Sequence, residues 1–591
     1  MEFGEAIKTL LYKKDNEKNR LLTIYGENVD AKNILNEYPR PQLKRESFIN
    51  LNGYWKYAIT NTSKIPKAFD GRILVPFSPE SILSGVEKQL QPDEYLFYER
   101  VVYIDKIKKN KRLILHFGAV DQSCVIWWNG KCVKKHTGGY LPFEVDVTKY
   151  LKNKNILTVR VRDYSDCSYH ARGKQKLKSG GMFYTAQSGI WQTVWCEWVP
   201  INYIRDIKIT PNLDAKSVQI CVNTVYPIIK KIRVSALGIM IKEVYTNDNS
   251  IVISLKDCIS ICEWTPENPF LYTLEITAGE DCITSYFAMR KFSVGVNNGK
   301  PCLCLNNKPY YMHGILDQGY YSDGLMTPPS YDIIRDDIDA MKKLGFNMVR
   351  KHIKIEPLVY YYICDVKGMI VWQDMVNGGG DYNLFLLTVL PTIFPIIRKL
   401  FDDRRYAIFG RNNYKGRREW VIECKKTIKL LYNVPSIGMW VLFNEGWGQF
   451  DSCKITRIVK EIDNTRLINS ASGWVDRKCS DVKSNHTYFE RVKVRLDKRP
   501  YVCDEYGGYT CYIKGHSHSN GIYGYKNYKS IKKYKEAYME LQKDIERLKS
   551  EGLCADVYTQ LSDVEDEVNG ILTYDRRVNK LSSIIDKTKN D

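Results

Sequence analysis

The sequence predicts a multidomain β plus α/β protein: two β-sandwiches in series, then a C-terminal (β/α)8 barrel. Three observations predict it. Residues 1–200 hold many short apolar strands broken by Gly and Asn, residues 201–296 hold strands of a different rhythm, and after Asn297 strands alternate with helices. The chain of 591 residues is too long for one hydrophobic core, which agrees with three domains.

In the first domain an N-terminal arm of about 40 residues precedes the strands Leu51-Asn-Gly-Tyr-Trp-Lys-Tyr-Ala, Tyr98-Glu-Arg-Val-Val-Tyr, Arg112-Leu-Ile-Leu-His-Phe and Ser123-Cys-Val-Ile-Trp-Trp. Trp128-Asn-Gly-Lys reads as a hairpin, because Asn-Gly accepts the left-handed backbone such a turn needs. The sum suits a jelly-roll-like sandwich. In residues 201–296, Ile204-Arg-Asp-Ile-Lys-Ile, Val218-Gln-Ile-Cys-Val, Lys231-Ile-Arg-Val-Ser-Ala and Leu271-Tyr-Thr-Leu-Glu-Ile suit an immunoglobulin-like sandwich of about 100 residues.

The barrel, residues 297–591, starts with a strand at Tyr310–Gly314. Ser330 caps a helix whose stripe is Ile334, Ile338, Met341 and Leu344. Strands follow at Asn347–Arg350, Met369–Asp374, Ile437, Leu467, Val482, Val502 and Asp556–Thr559. Helices are expected at Pro357–Asp365, Arg418–Leu431 and Ser530–Lys549.

Two strand ends carry chemistry. The apolar run Ile437–Phe443 stops at Asn444-Glu445, as a buried parallel strand does when it delivers polar groups to a barrel mouth. Pro500-Tyr-Val-Cys-Asp-Glu505-Tyr-Gly-Gly repeats the design. Two carboxyl groups on two strand tips suit cleavage of a glycosidic bond. Arg350, at the end of strand 2, is placed to bond the Glu505 carboxylate and keep it ionised. Asp317, Gln318, His352, Asp374, His486 and Tyr488 follow barrel strands and are expected to line the substrate site; Trp447 and Trp474 are expected as sugar platforms.

Other classes fit less well. The net charge is +20, but the lysines spread along the chain rather than forming a stripe, so no nucleic-acid partner is expected. Leu384–Ile397 is too short and too rich in proline for a membrane span; it is expected as a loop over the barrel or as an interface in a homo-oligomer. Seventeen scattered cysteines and a start without an apolar leader point to a reducing, cytoplasmic setting. Cys503, Cys511, His516 and His518 fit no zinc spacing, so neither metal nor other cofactor is expected. Gly295-Val-Asn-Asn-Gly-Lys lacks the spacing of a phosphate loop.

Leu51-Asn-Gly-Tyr-Trp, Val75-Pro-Phe-Ser-Pro-Glu, Gly138-Gly-Tyr-Leu-Pro-Phe143, Ser188-Gly-Ile-Trp-Gln192 and Phe287-Ala-Met-Arg-Lys-Phe, with Asn444-Glu445 and Glu505, resemble glycoside hydrolase family 2, the family of β-galactosidases, β-glucuronidases and β-mannosidases. The resemblance implies a sugar-binding first sandwich and a retaining exo-β-glycosidase, β-galactosidase-like, with Glu445 as acid/base, Glu505 as nucleophile and Asn444 on the sugar 2-hydroxyl. The alternatives are β-glucuronidase or β-mannosidase specificity, or a catalytically silent carbohydrate-binding protein on the same scaffold. Departures from the pattern are Gly314-Ile-Leu-Asp-Gln-Gly-Tyr after strand 1, Arg350-Lys-His-Ile-Lys-Ile-Glu-Pro357 after strand 2, and Asp563-Val-Glu-Asp-Glu-Val-Asn569-Gly where glucuronidases carry Asn-x-Lys-Gly. Asn413-Tyr-Lys-Gly has those letters but precedes strand 4.

Overall fold

The computed structural model describes residues 17–257, 260–383, 386–387 and 401–582. The expected loop at Leu384–Ile397 lies almost wholly outside them, and no described helix is long and apolar enough to cross a membrane.

The first sandwich packs a six-stranded antiparallel sheet against a four-stranded one. Trp55, Trp128, Leu115, Val159 and Val194 fill the space between them. Its Asn129-Gly130 turn joins Trp128 to Lys131, with both turn residues left-handed. The immunoglobulin-like unit stacks a three-stranded sheet on a four-stranded one around Ile209, Ile220, Ile232 and Leu274.

The last domain is a nearly closed barrel of eight parallel strands. In chain order they are Met312–Asp317, Met348–Lys351, Ile370–Asp374, Ile437–Val441, Leu467–Asn469, Lys483–Thr487, Tyr501–Gly507 and Leu553–Thr559. Each strand overlaps or adjoins its expected position; the first is shifted to Met312–Asp317, and the sixth, expected near Val482, is the polar segment Lys483–Thr487. Ladder pairs link all neighbours except the fifth and sixth strands. There Asp481 bridges, its amide donating to the Ile468 carbonyl and its carboxylate accepting from the Ile468 amide, each at 2.9 Å. The helix Tyr331–Lys343 is capped by Ser330 and buries Ile334, Ile338 and Met341. Asn413, whose letters resembled a sugar-binding motif, caps the helix Tyr414–Leu431 by accepting from the Gly416 amide. Gly295 to Lys300 is a hairpin turning at Asn298-Gly299. Phe292, Leu303 and Leu305 of that hairpin pack beneath the barrel against Met348, Trp372 and Met439.

The sandwiches are not loose appendages. Arg45 of the N-terminal arm is buried and clamps both: Asp281 bidentately at 2.9 and 2.8 Å, and Glu197 at 3.1 Å. The segment 171–185 of the first sandwich reaches over the barrel mouth. Its Ala171 pairs with Gly378 beyond barrel strand 3, and its Tyr184 hydroxyl donates to Glu567 beyond strand 8.

Removing one partner of a buried ion cluster leaves charge uncompensated and costs about 3–5 kcal/mol. Arg45→Met should therefore lower the melting midpoint by several degrees, and Arg45→Lys, which lacks the fork, should recover only part of the loss. Calorimetry of the three proteins checks this; an unchanged midpoint in Arg45→Met would show that the clamp carries no stability.

Candidate active site

Barrel strand 4 ends its ladder at Val441, two residues before the apolar run ends at Phe443. The chain nevertheless stays tied to the neighbouring strand: Leu442 donates to Asn469, Ser472 to Phe443 and Glu445 to Ser472. Glu445 itself is left-handed, with φ of 51°, a conformation costing a non-glycine residue about 1–2 kcal/mol. This turn aims its carboxyl group into the mouth rather than along the strand.

Arg350 lies at the centre, fully buried. Its Nε and Nη2 grip Asp374 at 3.0 Å each. Nη2 also donates to Asn444 Oδ1 at 2.8 Å, which turns the amide NH2 of Asn444 away as the free donor end. Nη1 donates to Glu505 Oε1 at 3.0 Å and to the Asp504 carbonyl at 2.9 Å. The other oxygen of Glu505, Oε2, accepts from the Tyr488 hydroxyl.

His486 is the second charge. Nδ1 lies 2.8 Å from Glu445 Oε1, and Nε2 lies 2.8 Å from Ser472 Oγ and 3.4 Å from Asp504 Oδ1. Burial opposes its charge, but Glu505, Asp504 and the bonds to Asp504 and Glu445 prevail and raise it to about 10. Nδ1–H therefore donates to Glu445. Burial likewise opposes ionisation of Glu505, and His486 and Arg350 outweigh it, holding Glu505 below the ordinary glutamate range. Gly473 shapes this corner: a Cβ there would sit 2.9 Å from His486 Nδ1.

The structure thus brings Arg350, Asp374, Asn444, Glu445, His486, Tyr488 and Glu505 into one hydrogen-bonded network, and His352 joins it through Asp374, 2.7 Å from its Nδ1. Trp474 sits beside it, its ring 5.6 Å from that of His486. Trp447 stacks instead in an aromatic cluster with Phe183 and Tyr382. Asp317 is tied into a separate network, bonded by Lys351 at 2.5 Å, with Lys351 and Lys354 sharing Glu356. Gln318 is buried beside that network in sequence, with no partner for Nε2 among the described residues.

Sequence reasoning missed Asp504 and Ser472. Strict alternation along a strand turns neighbouring side chains to opposite faces, so Asp504 should point away from Glu505. The ladder register shifts between Cys503 and Tyr506, and again between Asn485 and His486, and both acids reach His486. Ser472 belongs to a loop beyond the fifth strand and carries no signal of its own.

Oxygens of Glu445 and Glu505 and a ring nitrogen of His486 all lie within 4.8 Å of one another. This is also the one described cluster with metal-ligand composition. A metal there would need a neutral His486 and would sit beside the Arg350 guanidinium, so the donor set suits a proton and charge network better than a cation.

Paired carboxyl groups across a barrel mouth, roofed by a β-sandwich, define a class: multidomain barrel proteins with a carboxylate pair at the strand ends. Residues 86–196 match "Glycosyl hydrolases family 2, sugar binding domain", residues 202–290 "Glycosyl hydrolases family 2", and residues 294–589 "Glycosyl hydrolases family 2, TIM barrel domain". The chain belongs to glycosyl hydrolase family 2. It is 26% identical to a putative beta-glucuronidase of Formosa agariphila, over 54% of this chain and 39% of that protein. It is 24% identical to the beta-galactosidase large subunit of Leuconostoc lactis, over 63% and 57%, so it spans well under two thirds of either relative. It is 25% identical to a beta-glucuronidase of Streptococcus agalactiae, over 69% and 68%. Its fold is similar to the beta-D-glucuronidase of Dictyoglomus thermophilum, with TM-score 0.72, 18% identity, and 94% and 98% of the two chains covered.

The raised His486 sets a pH dependence. In the unfolded chain histidine titrates near 6.5. Its contribution to stability is therefore full below about 6.5 and fades as pH rises through about 10. The stability gap between wild type and His486→Gln should narrow across that window. Thermal melts of both proteins from pH 6 to 11 check it; a gap independent of pH would mean that His486 is neutral in the folded protein.

Proposed function

We propose that the chain is an exo-acting β-glycosidase that hydrolyses terminal β-linked sugars with retention of configuration. The observation that carries this is the spacing of Glu445 and Glu505, whose nearest oxygens lie within 4.8 Å. Inverting enzymes keep their carboxyl groups about 6.5–9.5 Å apart to admit a water, and retaining ones about 5–5.5 Å.

The chemistry follows from the bonds on each group. Glu505 is an anion steadied at one oxygen by Arg350 and at the other by Tyr488, and it attacks the anomeric carbon. Glu445 protonates the leaving glycosidic oxygen. The proton it needs is available across the 2.8 Å bond from the His486 imidazolium. A glycosyl ester on Glu505 results, and Glu445 then takes a proton from the water that releases the sugar. The free amide end of Asn444 meets the sugar 2-hydroxyl. The relatives' names offer β-galactosides and β-glucuronides as candidate sugars, and the choice between them is a matter of charge in the pocket.

Trimming each glutamate tests the roles separately. Glu505→Ala should lower kcat by roughly 10⁴-fold or more, and azide should rescue it with product of inverted configuration. Glu445→Ala should still accept aryl glycosides with good leaving groups, accumulate the ester, and give azide product of retained configuration. Product analysis by NMR reads both; the same azide product from the two variants would overturn the assignment. Sugar binding without turnover across a chromogenic glycoside panel would leave only the binding-protein reading.

A further inference from the structure

Five lysines among the described residues are buried: Lys174, Lys230, Lys351, Lys354 and Lys580. Four are matched. Lys351 pairs with Asp317 and Glu356, Lys354 with Glu356, Lys580 with Asp563, and Lys230 donates to the Asn247 and Asp248 carbonyls and to Asn249. Lys174 is 8% exposed, and its ammonium makes no ion pair or hydrogen bond among the described residues. It meets only ring faces, at 5.8 Å from Tyr184 and 5.9 Å from Trp447. Cation–π contacts offset part of the cost of burying a charge and leave the rest standing.

Its position is fixed. Arg172 and Gly173 donate to the Asn377 carbonyl at 3.0 and 3.2 Å, beyond barrel strand 3. A Cβ on Gly173 would touch the Ile353 carbonyl oxygen beyond strand 2, at 3.2 Å. The Lys174 carbonyl accepts from Tyr184 at 2.9 Å. Lys174 therefore stands over the ends of strands 2 and 3, where Arg350, His352 and Asp374 lie. Its charge reaches Glu505 and His352. Burial, and then that charge, push His352 well below its usual range, so its ring is neutral, and Nε2 lacks a partner among the described residues. Across the mouth, beyond strand 8, the barrel offers the carboxylates of Glu565 and Glu567. Of these, Glu567 is already taken up by Tyr184 and Asn569.

We propose that Lys174, delivered by the first sandwich, is the specificity-determining residue of the site, and that it pairs with a negatively charged substituent, a carboxylate or a sulfate ester, on the sugar held beside Glu505. This rests on Glu445 and Glu505 being the hydrolytic pair. An anion there gives the ammonium the partner it lacks, and neutral His352 accepts from a neighbouring hydroxyl. The cation lies on the sandwich, so the barrel segment after strand 8 needs no lysine.

The test uses the full chain, as wild type, Lys174→Met and Lys174→Arg. Three 4-nitrophenyl glycosides are compared: the β-glucuronide, the β-galactoside 6-sulfate and the β-galactoside. Calorimetric binding of the free sugars glucuronate, galactose 6-sulfate and galactose runs alongside. Wild type should prefer an anionic glycoside over the neutral one, the better of the two anions naming the substituent. Lys174→Met should shrink that preference by about 100-fold, mainly through KM, and Lys174→Arg should restore part of it. A preference for the neutral galactoside, or a preference untouched by Lys174→Met, overturns the proposal; should Lys174→Met not fold, an unaltered preference in Lys174→Arg with wild-type binding of neutral sugar only does the same. Lys174-dependent binding of an anionic sugar without turnover of any glycoside would uphold Lys174 while sinking the hydrolytic reading.

Discussion

One guanidinium holds the site together. Arg350 touches barrel strands 2, 3 and 7 and the extension of strand 4 at once, through Asp374, Asn444, Glu505 and the Asp504 carbonyl. Only arginine has five donors in a rigid plane, so a lysine would satisfy one or two of these acceptors and leave the others buried and unpaired. A fixed fork also fixes what it grips. The direction of the Asn444 amide and the place of Asp374 are consequences of one planar group, which also helps His486 keep Glu505 ionised.

His486 adds a movable charge to that fixed one. It sits between the two glutamates, and its ring bonds differ: toward Glu445 through Nδ1, toward Ser472 and Asp504 through Nε2. Glu505 and Asp504 both contribute to its charge. The local irregularities serve this arrangement. The shifted ladder registers bring Asp504 round to the ring, the left-handed Glu445 turns its carboxyl back, and the bare Gly473 leaves room for the imidazole.

These details set the limit of what the sequence could say. The strands were legible because both faces of a parallel barrel strand are buried, which leaves runs such as Ile437–Phe443 that end where polarity begins. Asn444, Glu445, Glu505 and Arg350 were legible because each ends such a run. Asp317 shares that signature and belongs to a different network, since position at a strand end does not tell which lysine lies opposite. Asp504 was hidden by a register shift that breaks the alternation rule. Lys174 was hidden by distance along the chain: nothing local to Gly173-Lys174-Gln175 announces a barrel more than a hundred residues away.

That last case changes how the first sandwich is understood. Its buried residues Phe77, Tyr140, Tyr184 and Trp191 belong to the same hydrophobic cluster as Ile315, Val349, Val371 and Trp440 of the barrel. A module that merely tethered carbohydrate would keep its own core and touch the barrel through polar surface. Here the two cores are continuous, and the Tyr184 hydroxyl and the Thr185 amide reach Glu567 and Glu565 beyond barrel strand 8. The mouth is thus walled by both domains: the barrel brings Glu445 and Glu505, and the sandwich brings Lys174, a buried lysine with neither an ion pair nor a hydrogen bond to its ammonium among the described residues. Loops can diverge in a sandwich without disturbing barrel strands, because the barrel's register does not depend on them. Placing a selective charge on the sandwich lets substrate preference change while Arg350 and its partners stay as they are.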